Sequence, residues 1–279
     1  MRKLFIIALL LFALPLTATA NDCKATYGNG NTVFTLATGS PGELGLLEAL
    51  ADKFNSTNDT TMCWKKAGSG KSLKLLKAGK VDIVMVHAPA AEKKAVADGW
   101  AGMRTLIGSN EFYVVGPVAD PANIAKAQSV AEAYGNIAKA GALFYSRGDN
   151  SGTHKKELRI WKKANIAPKG KWYQTTHEFM QATLLKADRN KGYFMTDSST
   201  WVATKKDIKN LKVLFKGDPM LINTYHALLS PTGPQAKVTK KFIELLKGEE
   251  GQNLLRTFGK AEHGEAMYND AAYASQYDH

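Results

Sequence analysis

The densest chemistry in this chain lies in Ser146-Arg147-Gly148-Asp149-Asn150-Ser151-Gly152-Thr153-His154, which combines hydroxyls, an arginine, a carboxylate and glycines. Ala142-Leu143-Phe144-Tyr145 before it reads as a short buried strand. Lys155 to Ala164 after it reads as a helix with Leu158, Ile160 and Trp161 apolar. The glycines of such a turn permit tight backbone geometry. The unpaired N–H groups at the helix start attract an anion. Asn150, Ser151 or Thr153 can cap the helix, and Arg147 adds a fixed fork of donors. The same residues also suit a capped loop with a surface arginine, and both readings stay open at this point.

Two earlier turns have the same setting. Thr38-Gly39-Ser40-Pro41-Gly42-Glu43 follows a strand at Thr32 to Ala37 and precedes Leu44 to Phe54, where Leu46, Leu47, Leu50 and Phe54 fall at helical spacing. Thr38 and Ser40 supply hydroxyls for a ligand or for an ordinary cap. Glu43 would repel an anion unless it turns away. Ala67-Gly68-Ser69-Gly70-Lys71-Ser72 lies between a candidate strand at Thr61 to Lys66 and a helix at Ser72 to Ala78. It resembles the end of the nucleotide loop G-x-x-x-x-G-K-S/T, but Lys65 stands where the first glycine belongs. A nest of backbone N–H groups at Ser69, Gly70 and Lys71 remains possible, with Lys71 adding charge or standing solvated at the helix start. The candidate anion ligands are thus Thr38, Gly39, Ser40, Ser69, Gly70, Lys71, Ser146, Arg147, Ser151 and Thr153, with no catalytic residue, no cofactor and no free metal cation.

Other chemistries fit less well. A secreted serine hydrolase could use Ser151 with a histidine, yet G-x-S-x-G is absent around it. His154 reads as a helix residue, and His87, after a buried strand and before Ala88-Pro89, as a structural histidine or as one that approaches the cleft. His177, His226, His263 and His279 show no metal-binding spacing such as H-E-x-x-H. Trp172 and Tyr173 read as core packing or as a cleft rim. An adhesive or structural secreted module is the third class.

The elements that must position these turns alternate along the chain. Val81 to Val86 is a nearly continuous apolar strand, as a sheet covered on both faces requires. Phe112 to Val115 is another, ended by Gly116-Pro117. Ile124 to Ala140 reads as one helix, Thr176 to Asp188 as a second, and Gly192 to Thr196 as a strand before a capped helix with Trp201 and Val202. Leu211 to Phe215 is a strand and Leu221 to Leu229 a long extended crossing. Val238 to Leu246 and Gly251 to Phe258 are helices, and the chain from Ala261 reads as a loose polar tail. The alternation argues an α/β protein with mostly parallel sheets flanked by helices. Such sheets bind ligands at the carboxyl ends of their strands, where all three turns fall.

Arg2 and Lys3 precede an apolar run from Leu4 to Leu14, and Ala18-Thr19-Ala20 ends it. Residues 1–20 therefore read as a secretory signal, too short for a good membrane span, leaving a soluble secreted or periplasmic protein. Removing Arg2 and Lys3 lowers the formal charge from +12 to +10. The basic balance suits a protein that handles anions. The lysines mostly come in pairs rather than in a basic stripe interleaved with aromatics, which argues against nucleic acid. Cys23 and Cys63 are the only cysteines. An oxidising compartment lets them pair, and two buried thiols are the alternative.

Phe144 to His154 resembles the signature of the periplasmic tungstate-binding proteins of the TupA type. Val84-Met85-Val86-His87-Ala88-Pro89-Ala90-Ala91-Glu92 is similar to a second block of that family. Phe112 to Pro117, Lys171-Trp172-Tyr173, and Gly217-Asp218 through Asn223-Thr224-Tyr225 match further blocks in order. The resemblance implies a two-lobed, monomeric solute receptor that captures a small oxyanion, tungstate or molybdate, and delivers it to a membrane ABC permease. It implies lobe one at residues 21–113 and 222–279 and lobe two at 114–221, joined near 113–117 and 218–224. Its binding positions fall on Thr38 and Ser40, on Ser69 and its neighbours, and on Arg147, Ser151 and Thr153. The family's hydroxyl-rich run after the first strand is here Ala37-Thr38-Gly39-Ser40-Pro41-Gly42-Glu43-Leu44-Gly45, with fewer hydroxyls and a proline that has no N–H. Lys71 replaces a usual glutamine. Sulfate, phosphate or a small carboxylate is the alternative ligand.

Overall fold

A computed structural model describes residues 22–278. The signal segment and its cleavage point lie outside the described residues. In chain order come β1 (Ala25–Tyr27), β2 (Thr32–Thr38), α1 (Ser40–Glu43), α2 (Leu46–Asn55), β3 (Thr60–Lys66), α3 (Ser69–Lys77), β4 (Ile83–Val86), α4 (Pro89–Ala97) and β5 (Gly102–Pro117). Next are α5 (Val130–Ala140), β6 (Phe144–Ser146), α6 (Gly152–Lys163), β7 (Tyr173–Thr175), α7 (Met180–Asn190), β8 (Tyr193–Asp197), α8 (Ser198–Thr204) and β9 (Leu211–Phe215). The chain ends with β10 (Ile222–Leu229), α9 (Ala236–Lys247), α10 (Glu249–Thr257), α11 (Lys260–His263), β11 (Asn269–Asp270) and α12 (Ala271–Ala274).

The strands run β1-β3-β2-β4-β10-β5-β8-β6-β7, with β9 and β11 both on β5. Parallel pairing holds on both flanks, β3-β2-β4 and β7-β6-β8, as strand–helix alternation implies. The centre is antiparallel: β10 pairs β4 and β5, and β5 pairs β8 and β9. The sheet is therefore mixed rather than mostly parallel. The long strand β5 is the cause. Glu111 still pairs Ile222 of β10, whereas Phe112 pairs Asp197 of β8. One strand thus feeds two sheets, and the chain returns through Pro219–Leu221 into β10.

Each sheet has its own core. Phe34, Phe54 and Phe242 meet edge-on or tilted, at 5.2–5.9 Å, between the first sheet and α2 and α9. Burying each contributes about 1.5–3 kcal/mol. In the second, Tyr134, Phe144 and Trp161 pack with Tyr134 and Trp161 at 4.4 Å. Val202 of α8 packs into the first core although α8 follows a strand of the second sheet. Cys23 and Cys63 form a disulfide that ties the start of the described chain to β3.

Three further sequence expectations change. The helix expected from Ile124 is a 3-10 turn at Ile124–Lys126, and α5 starts only where the Ser129 hydroxyl caps Glu132 N–H. The strand expected at Phe112 begins ten residues earlier, at Gly102. The tail is not loose. Asn269 and Asp270 pair with β5, Met267 and Tyr268 are buried, and Asp278 accepts from Arg104 at 2.8 Å and lies 3.1 Å from His226 Nε2. Burial opposes the Asp278 charge, but the bonds and charges of Arg104 and His226 hold its carboxyl at about 2.

Candidate functional site

The starts of α3 and α6 face each other. Their N-cap residues are Gly68 and Ser151. A Cβ on Gly68 would lie 3.2 Å from Ser151 Cβ, and one on Gly152 would lie 2.5 Å from Cε1 of His87. Gly70 sits against the Asn150 carbonyl. Glycine is therefore what lets these turns touch. Two positive helix ends converge here, an arrangement that repels itself and is relieved by a negative charge.

Gly39, Ser40 and Pro41 complete one wall of a small cavity of about 10 Å³. Gly68, Ser69, Met85, His87 and Tyr225 also line it, and Arg147, Ser151 and Phe179 come from the other side. Arg147 is only 4% exposed. Its Nη2 donates to Asp149 Oδ2 at 2.5 Å, while its Nε is buried without a partner. The Thr153 hydroxyl is buried and unpartnered as well. An unmade hydrogen bond on a buried donor costs about 1–3 kcal/mol, so these atoms call for an acceptor.

The hydroxyl protons divide into two sets. Ser69 Oγ accepts from His87 N–H at 3.1 Å, and Ser151 Oγ accepts from His154 N–H at 3.3 Å. Each keeps its own proton to give. Thr38 gives its proton to the Met85 carbonyl at 2.9 Å, and Ser40 directs its own toward Asp197 Oδ2 at 3.4 Å. Glu43 does turn away: Lys66 holds it at 2.5 Å and also lies over Phe179, 4.1 Å from the ring centre. The Arg147 guanidinium lies 5.4 Å from the same ring.

Burial works against the Asp149 charge, but the Arg147 charge and the Ser151 and Arg147 hydrogen bonds outweigh it and hold the carboxyl below its usual range. Burial pushes His87 down to about 4 despite the bond to Asn223, helped by the Arg147 and Lys156 charges. Burial also pushes Glu157, one turn into α6, up to about 7 against bonds from Tyr173, Ser146 and Trp161. The site thus holds a fixed cation, neutral donors and an imidazole that is uncharged at neutral pH.

Of the residues expected from sequence, Gly39, Ser40, Ser69, Arg147 and Ser151 line the cavity. Thr38 and Ser146 are buried beside it as scaffold; Ser146 Oγ accepts from Gly148 N–H at 3.2 Å. Lys71 is exposed, and Lys71, Gly70 and the buried Thr153 lie outside the cavity lining. Trp172 and Tyr173 pack in the second core rather than on a cleft rim, with Tyr173 OH on Glu157 at 2.6 Å. His87 lines the cavity, as the second of its two sequence readings has it. Met85 and Tyr225 fall in blocks that resemble the family but are not among the expected ligands, and Phe179 has only its apolar place in a helix pattern. The hydrolase reading lacks its base. Among the described residues no imidazole is hydrogen-bonded to Ser151 Oγ, and His154 Nδ1 is taken by Asn150 N–H at 3.0 Å.

The family model described as PBP superfamily domain matches residues 25–250. A tungstate-binding protein TupA from Peptoclostridium acidaminophilum is 31% identical over 283 residues, covering 96% of this chain and 97% of that protein. The crystal structure of the tungstate ABC transporter from Geobacter sulfurreducens superposes with a TM-score of 0.72 at 36% identity, covering 82% of this chain and 100% of that one. The tungstate binding protein TupA from Desulfovibrio alaskensis G20 gives 0.71 at 37% identity, covering 86% and 98%. With that fold and this cavity, the chain belongs to the PBP superfamily and, within it, to the TupA family of ABC-transporter solute-binding proteins.

Proposed function

We propose that the protein is the extracytoplasmic receptor of an ABC importer and closes on a tetrahedral oxyanion, tungstate or molybdate. The observation that carries this reading is Arg147 Nε, a buried donor with no partner between two converging helix starts. The names of its relatives support it. Arg147, Ser69, Ser151 and Thr153 give hydrogen bonds to the anion, and the first N–H groups of α3 and α6 add theirs. Neutral donors suit a fully ionised anion, because none competes with it for a proton. The lobes divide near residues 113 and 221 and move as rigid bodies about β5 and the segment into β10. The chain is exported by residues 1–20, acts as a monomer and passes its anion to a membrane permease.

Sulfate, phosphate or a small carboxylate is the second reading. It is favoured by the 38–41 turn, where Pro41 has no N–H and the protons of Thr38 and Ser40 are already committed. A thermal-shift series on anion-free protein separates the two, because a ligand that binds only the folded state raises its stability. Tungstate and molybdate should raise the melting temperature more than sulfate, phosphate or acetate. A shift with none of these anions, acetate included, would count against both readings.

A further inference from the structure

Behind the cavity, buried side chains form an unbroken hydrogen-bonded line. His87 Nδ1 lies 2.8 Å from Asn223 Oδ1. Asn223 Nδ2 donates to Asn110 Oδ1 at 2.7 Å, and Asn110 Nδ2 donates to Ser199 Oγ at 2.9 Å. Ser199 Oγ donates to Asp197 Oδ1 at 2.6 Å. The line runs where the chain crosses between lobes, with Asn110 on β5, Asn223 on β10 and Ser199 on α8. Asn110, Asn223 and Ser199 do not line the anion cavity. Buried polar groups in such a place are costly unless every member is satisfied.

The line has one direction. Asp197 Oδ1 already accepts the Thr200 N–H at 2.7 Å, so Ser199 must give it a proton. The Ser199 oxygen then accepts, which turns the Asn110 amide nitrogen toward it. The Asn110 oxygen is left for Asn223 Nδ2, and the Asn223 oxygen for His87. His87 must therefore carry its hydrogen on Nδ1. Amide orientation and imidazole tautomer are ordinarily open choices; here the carboxylate at the end of the line fixes them. The ring so oriented is the one laid against α6: a Cβ on Gly152 would lie 2.5 Å from Cε1, 2.6 Å from Nδ1 and 2.9 Å from Nε2. At the far end, Asp197 Oδ2 takes the Ser40 proton on the facing wall.

We propose that Asn110, Asn223 and Ser199 are positioning residues of the anion site, which carry the demand of Asp197 for a proton through to His87, fix the His87 ring, and so set the surface on which the start of α6 docks. The affinity side of this proposal rests on the oxyanion reading of the cavity; the tautomer side does not.

The test is nitrogen-15 NMR of histidine-labelled protein, with calorimetric titration of molybdate, on wild type, Asn110→Leu and Ser199→Ala. Neither residue is hydrogen-bonded to His87 or lines the cavity. Wild-type His87 should show a protonated Nδ1 and a bare Nε2. Each variant releases Asn223 to turn its amide, so the Nε2-protonated form should appear and molybdate affinity should fall about tenfold, the worth of roughly one buried hydrogen bond. Ser199→Ala removes only a hydroxyl and decides the matter if Asn110→Leu does not fold. Unchanged His87 nitrogen shifts would overturn the proposal. Altered shifts with unaltered molybdate affinity would overturn the positioning role. No uptake of molybdate by wild type would count against the oxyanion reading and the positioning role with it, while the nitrogen shifts would still judge the tautomer.

Discussion

Gly152 lies against the imidazole of His87, so close that a single added methyl would sit 2.5 Å from Cε1. Sixty-five residues of sequence separate the two: His87 follows β4 of the first sheet, and Gly152 opens α6 after β6 of the second. Contact at this distance between a helix start and a half-buried ring means that the cleft walls meet through backbone. Gly152→Ala should therefore oppose closure. Its backbone is not in the left-handed region, so alanine is tolerated wherever the two walls stand apart, as in the open, unliganded form. Calorimetry should show oxyanion affinity reduced by at least about tenfold, with the melting temperature of the free protein little changed. Undiminished affinity would mean that this contact is not part of the bound state.

Arg147 offers a sharper contrast. Its Nη2 is held by Asp149, leaving Nε as the donor without a partner. Lysine keeps the charge but has no planar fork. Both Arg147→Ala and Arg147→Lys should lose at least about tenfold in oxyanion affinity, roughly 1.4 kcal/mol. Retained affinity in Arg147→Lys would show that charge alone suffices and that Nε is not the contact.

Much of this site was legible as strand, glycine-bearing turn and helix, because that pattern depends on neighbours in sequence. Ser69, Arg147 and Ser151 were found that way. The direction of each hydroxyl proton was not legible. Thr38 is turned by Met85 and Ser40 by Asp197, partners 47 and 157 residues away. The first half of β5 was hidden for a related reason. Ser109 and Asn110 are buried there, Asn110 bonded to Asn223 and Ser199, and Gly108 admits Asn269 at close range. Residues chosen for such partners spoil the apolar alternation that marks a strand. In the tail, Met267 and Tyr268 enter the first core without any periodic pattern around them.

His87 also makes stability depend on pH. Its ordinary value of 6.5 falls to about 4 in the fold, chiefly through burial. The unfolded chain therefore binds the extra proton first. The stability that neutral His87 contributes is whole above about pH 6.5 and is lost as pH falls toward 4, on the order of 3 kcal/mol. Glu157, raised to about 7, acts in the opposite sense and destabilises as pH rises from 4.5 toward 7. Urea unfolding of wild type and His87→Gln between pH 4 and 7 isolates the histidine. The variant should lose less stability on acidification, and parallel curves would contradict the assignment.

The Cys23–Cys63 disulfide closes a loop of 40 residues. Loop-closure entropy makes it worth about 2–4 kcal/mol. Reduction, or the paired change Cys23→Ser and Cys63→Ser, should lower the melting temperature and leave oxyanion affinity nearly unchanged, since neither cysteine lines the cavity. A loss of binding at temperatures where the reduced protein remains folded would link this end of the chain to the site.

The most direct measurement is anomalous diffraction at the tungsten absorption edge from crystals grown with tungstate. One strong peak is expected between the starts of α3 and α6, with its oxygens about 2.7–3.2 Å from Arg147 Nε and from the hydroxyls of Ser69 and Ser151. A tungsten peak bound elsewhere, with Arg147 Nε still unpartnered, would contradict the oxyanion site.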